Sequence, residues 1–158
     1  LVHVATVRLI PWLVMRRAMD LIAGTAGVNA AVYAPRADEN ARAIVRPSPD
    51  LLYSSCAFDV SQRPLRLRAQ VPPDTYWSIS MFAANTDNFY KRNDREAGGA
   101  AVDLVLALPG TAVALPAGAQ RVDAPTARGI VLTRTLIADE ARLDELDRAR
   151  RSFTCAPL

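Results

Sequence analysis

Residues 65–71, Leu-Arg-Leu-Arg-Ala-Gln-Val, alternate without a break: Leu65, Leu67, Ala69 and Val71 are apolar, and Arg66, Arg68 and Gln70 between them are polar. A period of two sends successive side chains to opposite faces of an extended strand, so one face is buried and the other is wet. A helix would scatter the same residues around its whole circumference. The chain therefore has to bury one face of a sheet. Pro72-Pro73-Asp74 turns it, and Trp77, Ile79 and Met81 then alternate with Ser78 and Ser80 in a second strand. So short a connection favours antiparallel meanders over units with a crossover helix.

The strand signal continues on both sides. Residues 28–49 form a connection rich in Ala, Arg and Pro, ending in Arg46-Pro47-Ser48-Pro49-Asp50, where the prolines forbid a helix. Leu52, Ser54, Cys56, Phe58 and Val60 follow on one face of an extended run. Residues 84–99 read as a long polar loop, and Val102 to Leu108 as a continuous apolar, central strand. Turns at Pro109-Gly110 and Pro116-Ala117-Gly118 bracket a short strand at 111–115. Ile130, Leu132 and Leu136 mark the last strand, with Arg134 on the same apolar face.

Helices frame these strands. Val14, Ala18, Leu21 and Ile22 recur at helical spacing, while Arg16, Arg17 and Asp20 take the other side. Pro11 can kink that helix or start it, and Gly24 and Gly27 end it. At the far end Asp139 and Glu140 fall in a first helical turn and Arg148, Arg150 and Arg151 in the last, which complements the helix dipole. Asp144 with Arg148 and Asp147 with Arg151 are i,i+4 pairs, and Leu143, Leu146 and Phe153 supply an inward stripe. This reads as a solvated surface helix. The expected architecture is one α+β domain over 1–158: an N-terminal helix in 1–27, an antiparallel, strand-rich, sandwich-like core in 28–138, and a C-terminal helix in 139–153. A chain of 158 residues, 51% hydrophobic and 22% charged, has the size and makeup for that.

Several function classes drop out. The net charge is +3, but Lys91 is the one lysine, acidic residues interleave with the arginines throughout, and no dense basic stripe with aromatics occurs; nucleic acid is not an expected partner. His3 is the one histidine and lies in an apolar run, a poor place for a catalytic triad. HExxH, GxxxxGK[ST], GxGxxG and CxxC are all missing, and no cofactor is expected. Cys56 and Cys155 are too few and too far apart for zinc. They either form a disulfide in an oxidising compartment, closing a long loop worth about 4–5 kcal/mol in the chain-entropy model, or remain buried thiols.

The chain begins at Leu1, and residues 1–10 are nearly apolar all round. His3, Arg8, Arg16, Arg17 and Asp20 are too many polar charges for residues 1–23 to span hydrocarbon. The run is expected to continue an upstream signal or membrane anchor, which would place the domain at the cell envelope, inner-membrane anchored or periplasmic. The alternative is the buried first helix of a cytoplasmic domain, a location the basic Arg8, Arg16 and Arg17 favour.

Candidate binding residues concentrate in Asn85-Thr86-Asp87-Asn88-Phe89-Tyr90 and Lys91-Arg92-Asn93-Asp94, directly after an apolar strand, where rigid scaffolds often carry function. Asn85, Asp87, Asn88 and Asp94 are suited to sugar hydroxyls or a hard cation, Asp87 and Asp94 to acid and base roles, and all of them to plain turn-making. Arg134 on an apolar face calls for an anionic partner, with Asp50 and Asp59 as candidates, unless it snorkels to water. Tyr53 and Tyr76 suit either a pocket wall or a core edge with a wet hydroxyl. No catalytic residue and no metal site is assigned.

These segments together resemble a known bacterial family. Val45 through Ser54, Tyr76-Trp77-Ser78-Ile79, Asn85 through Phe89, Asn93-Asp94-Arg95, Ala124 through Arg134 and Arg150 through Cys155 are similar to the domain-of-unknown-function family numbered 1254, over roughly 28–155. The resemblance implies a strand-rich domain fused to, or encoded beside, a partner of the family numbered 1214, with short forms often carrying a membrane anchor. It implies no catalytic residues. The family's Asp and Tyr match Asp50 and Tyr53, but Ser48 and Leu51 stand where it usually has Asn and Thr, which counts against chemistry at Asp50. The expected function is a non-catalytic, envelope-associated binding or assembly module that pairs with a 1214-type partner. A small polar ligand is a second expected partner. The alternative is a hydrolase-like enzyme for a small polar or carbohydrate-like substrate, with Asp50, Tyr53, Asn85, Asp87 and Asp94 in one cleft.

Overall fold

The alternating segment is strand β3 (Leu65–Ala69), with Leu65 and Leu67 fully buried and Arg66 and Arg68 on the wet face. The computed structural model describes residues 2–38 and 47–158. In chain order its elements are α1 (Val2–Ala26), β1 (Val32–Tyr33), β2 (Leu51–Asp59), β3, β4 (Trp77–Ala83), β5 (Asn88–Asn93), α2 (Asp94–Ala97), β6 (Val102–Ala107), β7 (Gln120–Asp123) and β8 (Arg128–Leu136). A 3₁₀ turn (Glu140–Arg142), α3 (Leu143–Arg151) and β9 (Thr154–Pro157) complete the chain.

The strands form two sheets, one in the order β1-β2-β8-β4-β5 and one in the order β7-β6-β3-β9. They pack face to face as a sandwich. Cys56, Phe58, Trp77, Ile79, Met81 and Val131 from the first sheet meet Leu65, Leu67, Leu104, Leu106 and Val122 from the second in one core. A disulfide between Cys56 on β2 and Cys155 on β9 crosses that core and joins the two sheets. This is the α+β, strand-rich architecture expected, with a helix near each end.

The departures have physical reasons. Residues 84–99 are not one long loop. After a tight turn at 84–87 the chain returns as β5, pairs with β4 and ends in α2, whose start is a reciprocal capping box between Asn93 and Glu96. β5 is an edge strand with no fully buried residue, so it lacks the alternation that exposes strands in a sequence. No strand forms at 111–115; β7 lies at Gln120–Asp123 and pairs parallel with β6, which the 108–119 connection is long enough to allow. β9 follows the last helix and pairs with β3, burying one residue, Cys155, along its length. α3 is not simply a solvated helix. Arg150 is 5% exposed and donates to the carbonyls of Ala34 and Tyr53 and to Asp147, tying the helix to β2 and the segment after β1.

Helix α1 runs unbroken through Pro11 and ends at Gly27, whose φ of +92° gives the left-handed turn that glycine adopts without a steric cost. Its second half sits on the outer face of the larger sheet. Met15, Ala18 and Met19 pack against Ala57 of β2 and Ile130 of β8, with Ile22 and Phe82 alongside. The first half touches little. Val2, Val4, Val7, Leu9, Ile10, Trp12, Leu13 and Val14 are all between 46% and 81% exposed.

Candidate functional site

Strand β8 is the middle strand of the larger sheet, and its two faces do different things. Val131, Thr133 and Thr135 point into the sandwich, whereas Ile130, Leu132 and Arg134 share the outer face that α1 partly covers. Register places Tyr53 of β2 opposite Arg134, and Ser78 of β4 opposite it on the other side. Ser55, Leu132 and Ser80 make the next row on that face, and Ala57, Ile130 and Phe82 the one after. The outer face is therefore apolar beneath α1 and polar toward Arg134.

Between α1, this face and the segment 34–38 lies a groove of about 780 Å³. Val14, Met15, Ala18 and Ile22 form its helical wall, and Phe82, Ile130 and Leu132 its apolar floor. Tyr53, Ser55, Thr86, Arg36 and Arg134 supply its polar atoms, and Asp38 and Pro47 also line it. Two of these polar groups are already engaged. The Tyr53 hydroxyl accepts from the Ser48 N–H at 3.0 Å. Arg36 holds Glu140 through two bonds of 3.0 and 2.6 Å and donates to the Pro49 carbonyl. The Glu140 bond keeps the Arg36 guanidinium protonated above its ordinary range.

Arg134 stands apart from the other half-buried arginines. Among the described residues Arg66, Arg92, Arg121 and Arg142 are the other half-buried arginines, and each makes a hydrogen bond or an ion pair. Arg134 makes none among the described residues. Of the two carboxylates considered as its partners, Asp59 pairs with Arg128 at 3.5 Å, and Asp50 is exposed at the start of β2. Opposite Arg134 the Ser78 hydroxyl is buried and has no hydrogen-bond partner.

The remaining candidates lie elsewhere. Asn85 and Asp87 brace the β4–β5 turn: the Asn85 amide donates to Asp87 Oδ2 at 2.6 Å, the Asp87 N–H donates to Asn85 Oδ1 at 3.2 Å, and Thr86 between them has φ +76°. This is the turn-making role open to such residues. Asn88 is an exposed residue at the start of β5. Asp94 sits at the other end of that strand, where Oδ1 accepts from the Trp77 N–H at 3.3 Å, and shares a shallow depression of about 390 Å³ with Tyr76. Six strand residues separate Asp87 from Asp94, roughly 20 Å, too far for one acid–base pair. Asp50, Tyr53, Asn85, Asp87 and Asp94 thus do not gather at one point, although Tyr53 and Arg134 do. Among the described residues no group of three or more His, Cys, Asp or Glu could hold a metal ion, and no helix is long and apolar enough to cross a membrane.

Sequence reasoning missed the apolar wall of the groove. Ile130-Val131-Leu132 is a run of three consecutive apolar residues, the signal of a strand covered on both faces. An Arg after such a run marks where the second cover ends.

A two-sheet α+β domain with a half-covered outer face is the class these features define. The chain matches, over residues 28–157, the model of a family described as a protein of unknown function, DUF1254, and belongs to that family. Its fold is similar to that of the VPA0106 protein from Vibrio parahaemolyticus, with a TM-score of 0.72 and 13% identity over 98% of this chain and 37% of that one. It is also similar to an uncharacterised protein from Burkholderia cenocepacia, with a TM-score of 0.53 and 18% identity over 75% of this chain and 34% of that one. At these identities the likeness concerns the fold alone. The chain spans little more than a third of either structure's length. No curated protein matches it.

Proposed function

We propose that this domain is a non-catalytic binding or assembly module of the cell envelope, docked through the first half of α1 onto a companion domain of the 1214 type. The observation that carries this is the uncovered helix: eight large apolar side chains between Val2 and Val14 stand in water, on about 20 Å of helix that packs against little else. Contiguous exposed apolar surface of that kind marks an interaction site. The solved relatives support a companion, since this fold fills only 37% and 34% of their chains. The Cys56–Cys155 disulfide supports the envelope, because such bonds persist in oxidising compartments. The scatter of the acidic candidates speaks for binding over catalysis.

The test is co-expression with a 1214-type protein, followed by size-exclusion chromatography with light scattering. A stoichiometric complex is expected, lost in the double variant Val7→Glu, Ile10→Glu while circular dichroism and the melting temperature of the isolated domain stay unchanged. A domain that elutes as a monomer beside that protein, or a complex indifferent to the two glutamates, overturns the proposal.

A further inference from the structure

The groove on the outer face of the larger sheet lies under the second half of α1 and meets the projecting half only at Val14, and it has a chemistry of its own. Its walls under the helix are apolar: Met15, Ala18 and Ile22 above, Phe82, Ile130 and Leu132 below. At its polar end stands Arg134, a half-buried guanidinium with no hydrogen bond and no ion pair among the described residues. Its cross-strand neighbour Ser78 has a buried hydroxyl with no partner. A half-buried cation without a counter-charge is costly, and a folded protein ordinarily satisfies it. A ligand whose one end is anionic and whose other end is hydrocarbon satisfies both halves of the groove. The anion takes the five-donor fork of the guanidinium, and the chain displaces water from the apolar walls.

We propose that this groove binds a single-chain anionic amphiphile, with its carboxylate or phosphate head on Arg134 and its hydrocarbon tail between α1 and the β8–β4 floor. The volume, about 780 Å³, lies within the ~300–1,000 Å³ typical of small-molecule sites. Sugars and other fully polar ligands are poorly matched, because six apolar side chains would face hydroxyls without offering them a bond. The neighbouring Arg36 is not a second anchor for the head, since its charge is already paired with Glu140 and its Nε is held by the Pro49 carbonyl. The Arg134 fork at the polar end and the apolar walls under the helix set the orientation of the ligand.

Isothermal titration calorimetry tests this with dodecanoate and dodecyl phosphate, each below its micelle concentration, against dodecanol, acetate and inorganic phosphate. Dodecanoate or dodecyl phosphate is expected to bind with one-to-one stoichiometry, and which head binds tighter identifies the anion. Acetate and phosphate lack the tail and dodecanol lacks the charge, so all three should bind at least about tenfold more weakly. Arg134→Met should weaken the amphiphiles by about tenfold or more with the melting temperature unchanged or raised, whereas Arg134→Lys keeps part of the affinity. Ala18→Trp fills the groove from the helix side and should abolish binding. Retention of the wild-type far-ultraviolet circular dichroism shows that this variant still folds. No binding of either amphiphile by the wild-type domain, or equal binding by Arg134→Met, overturns the proposal. So does inorganic phosphate binding as tightly as dodecyl phosphate. These titrations use the isolated domain, so loss of the companion complex in the earlier experiment does not affect their outcome.

Discussion

The ring of Phe58 lies against the bare Cα of Gly129, its direct partner across the β2–β8 ladder. A Cβ at position 129 would stand 2.6 Å from Phe58 Cζ and 2.1 Å from the carbonyl oxygen of Phe82 on β4. The ring therefore fills the space a side chain would occupy and at the same time packs edge-on against Phe89 of β5, at 6.4 Å between ring centres.

Gly129→Ala should accordingly destabilise the domain by about 3 kcal/mol, the upper end of the range for overpacking. One of the two obstacles is backbone and cannot rotate away. The measurement is the urea midpoint at constant m-value. Combining Gly129→Ala with Phe58→Leu should recover only part of the loss, since the smaller side chain removes the ring but leaves the Phe82 carbonyl where it is. Full recovery in the double variant would place the whole cost on the ring and contradict the backbone contact.

Reduction of the Cys56–Cys155 disulfide should lower the unfolding free energy by about 4–5 kcal/mol in the chain-entropy model, because the bond closes a loop across a sequence separation of 99 residues. The bond also anchors β9, a four-residue edge strand that buries one side chain, Cys155 itself. Hydrogen exchange should show the first loss at β9 and along its neighbour β3 when dithiothreitol is added, before the larger sheet opens. Uniform loss across both sheets at the same denaturant concentration would contradict that order.

What was legible in the sequence follows from how each element meets water. β3, β4 and β2 alternate because each has one face in a core, so Leu65, Leu67, Trp77, Ile79, Cys56 and Phe58 were assignable from pattern alone. The edge strands β5, β7 and β9 have too few buried positions to leave a pattern, and two of the three fall in stretches that read as loop or helix end. The site was half legible. Arg134 stood out as a charge among apolar residues, but its partner cannot be read from spacing: Asp59 is nearer to Arg128, and that proximity exists only once β2 and β8 are in register. Of the helix wall, Val14, Ala18 and Ile22 were legible as an apolar face, whereas Met15 was not and Leu21, read with that face, is 39% exposed; that the face leaves a groove on the sheet shows only once the surface it packs on is known. Arg150 misled in the other direction, since its place in a charge-rich helix end looks solvated and its burial is decided by carbonyls of β2 and of residue 34.

Acid should weaken the domain in part through Asp103. Two hydrogen bonds of 2.9 and 2.7 Å from Arg66 hold its carboxyl below the ordinary Asp value of 3.8, against the opposing effect of burial, and Arg68 adds to the depression. Glu145 is held down in the same way by Arg142. A carboxylate whose folded pKa lies below its unfolded pKa binds fewer protons in the folded state. Its contribution is fully present above about pH 5, clear of the unfolded value, and disappears as the pH falls through the folded value. Urea titrations from neutral pH down should therefore show a plateau and then a decline below about pH 5. In Asp103→Asn stability at neutral pH is lower and the decline shallower. An unchanged acid limb in that variant would remove Asp103 from the account.

Helix α1 should split into two halves that respond oppositely to substitution, although its twenty-five residues form one continuous element. Met19 is 7% exposed and contacts the outer face of the larger sheet, so Met19→Ala leaves a space between helix and sheet and should cost about 2–3 kcal/mol of stability. Ile10 is 50% exposed and Trp12 49%, on the projecting half. Their replacement by Ser should leave the urea midpoint of the isolated domain within about 0.5 kcal/mol of wild type, as surface changes generally do. The difference between the halves is then a difference in which equilibrium each one feels: the second half belongs to the folding of this domain, and the first only to association. Urea unfolding and complex formation with the 1214-type companion, followed side by side in the two sets of variants, separate these. If Ile10→Ser unfolds the domain as Met19→Ala does, the projecting half is part of the folding unit, and the exposed apolar stripe is not an independent docking element.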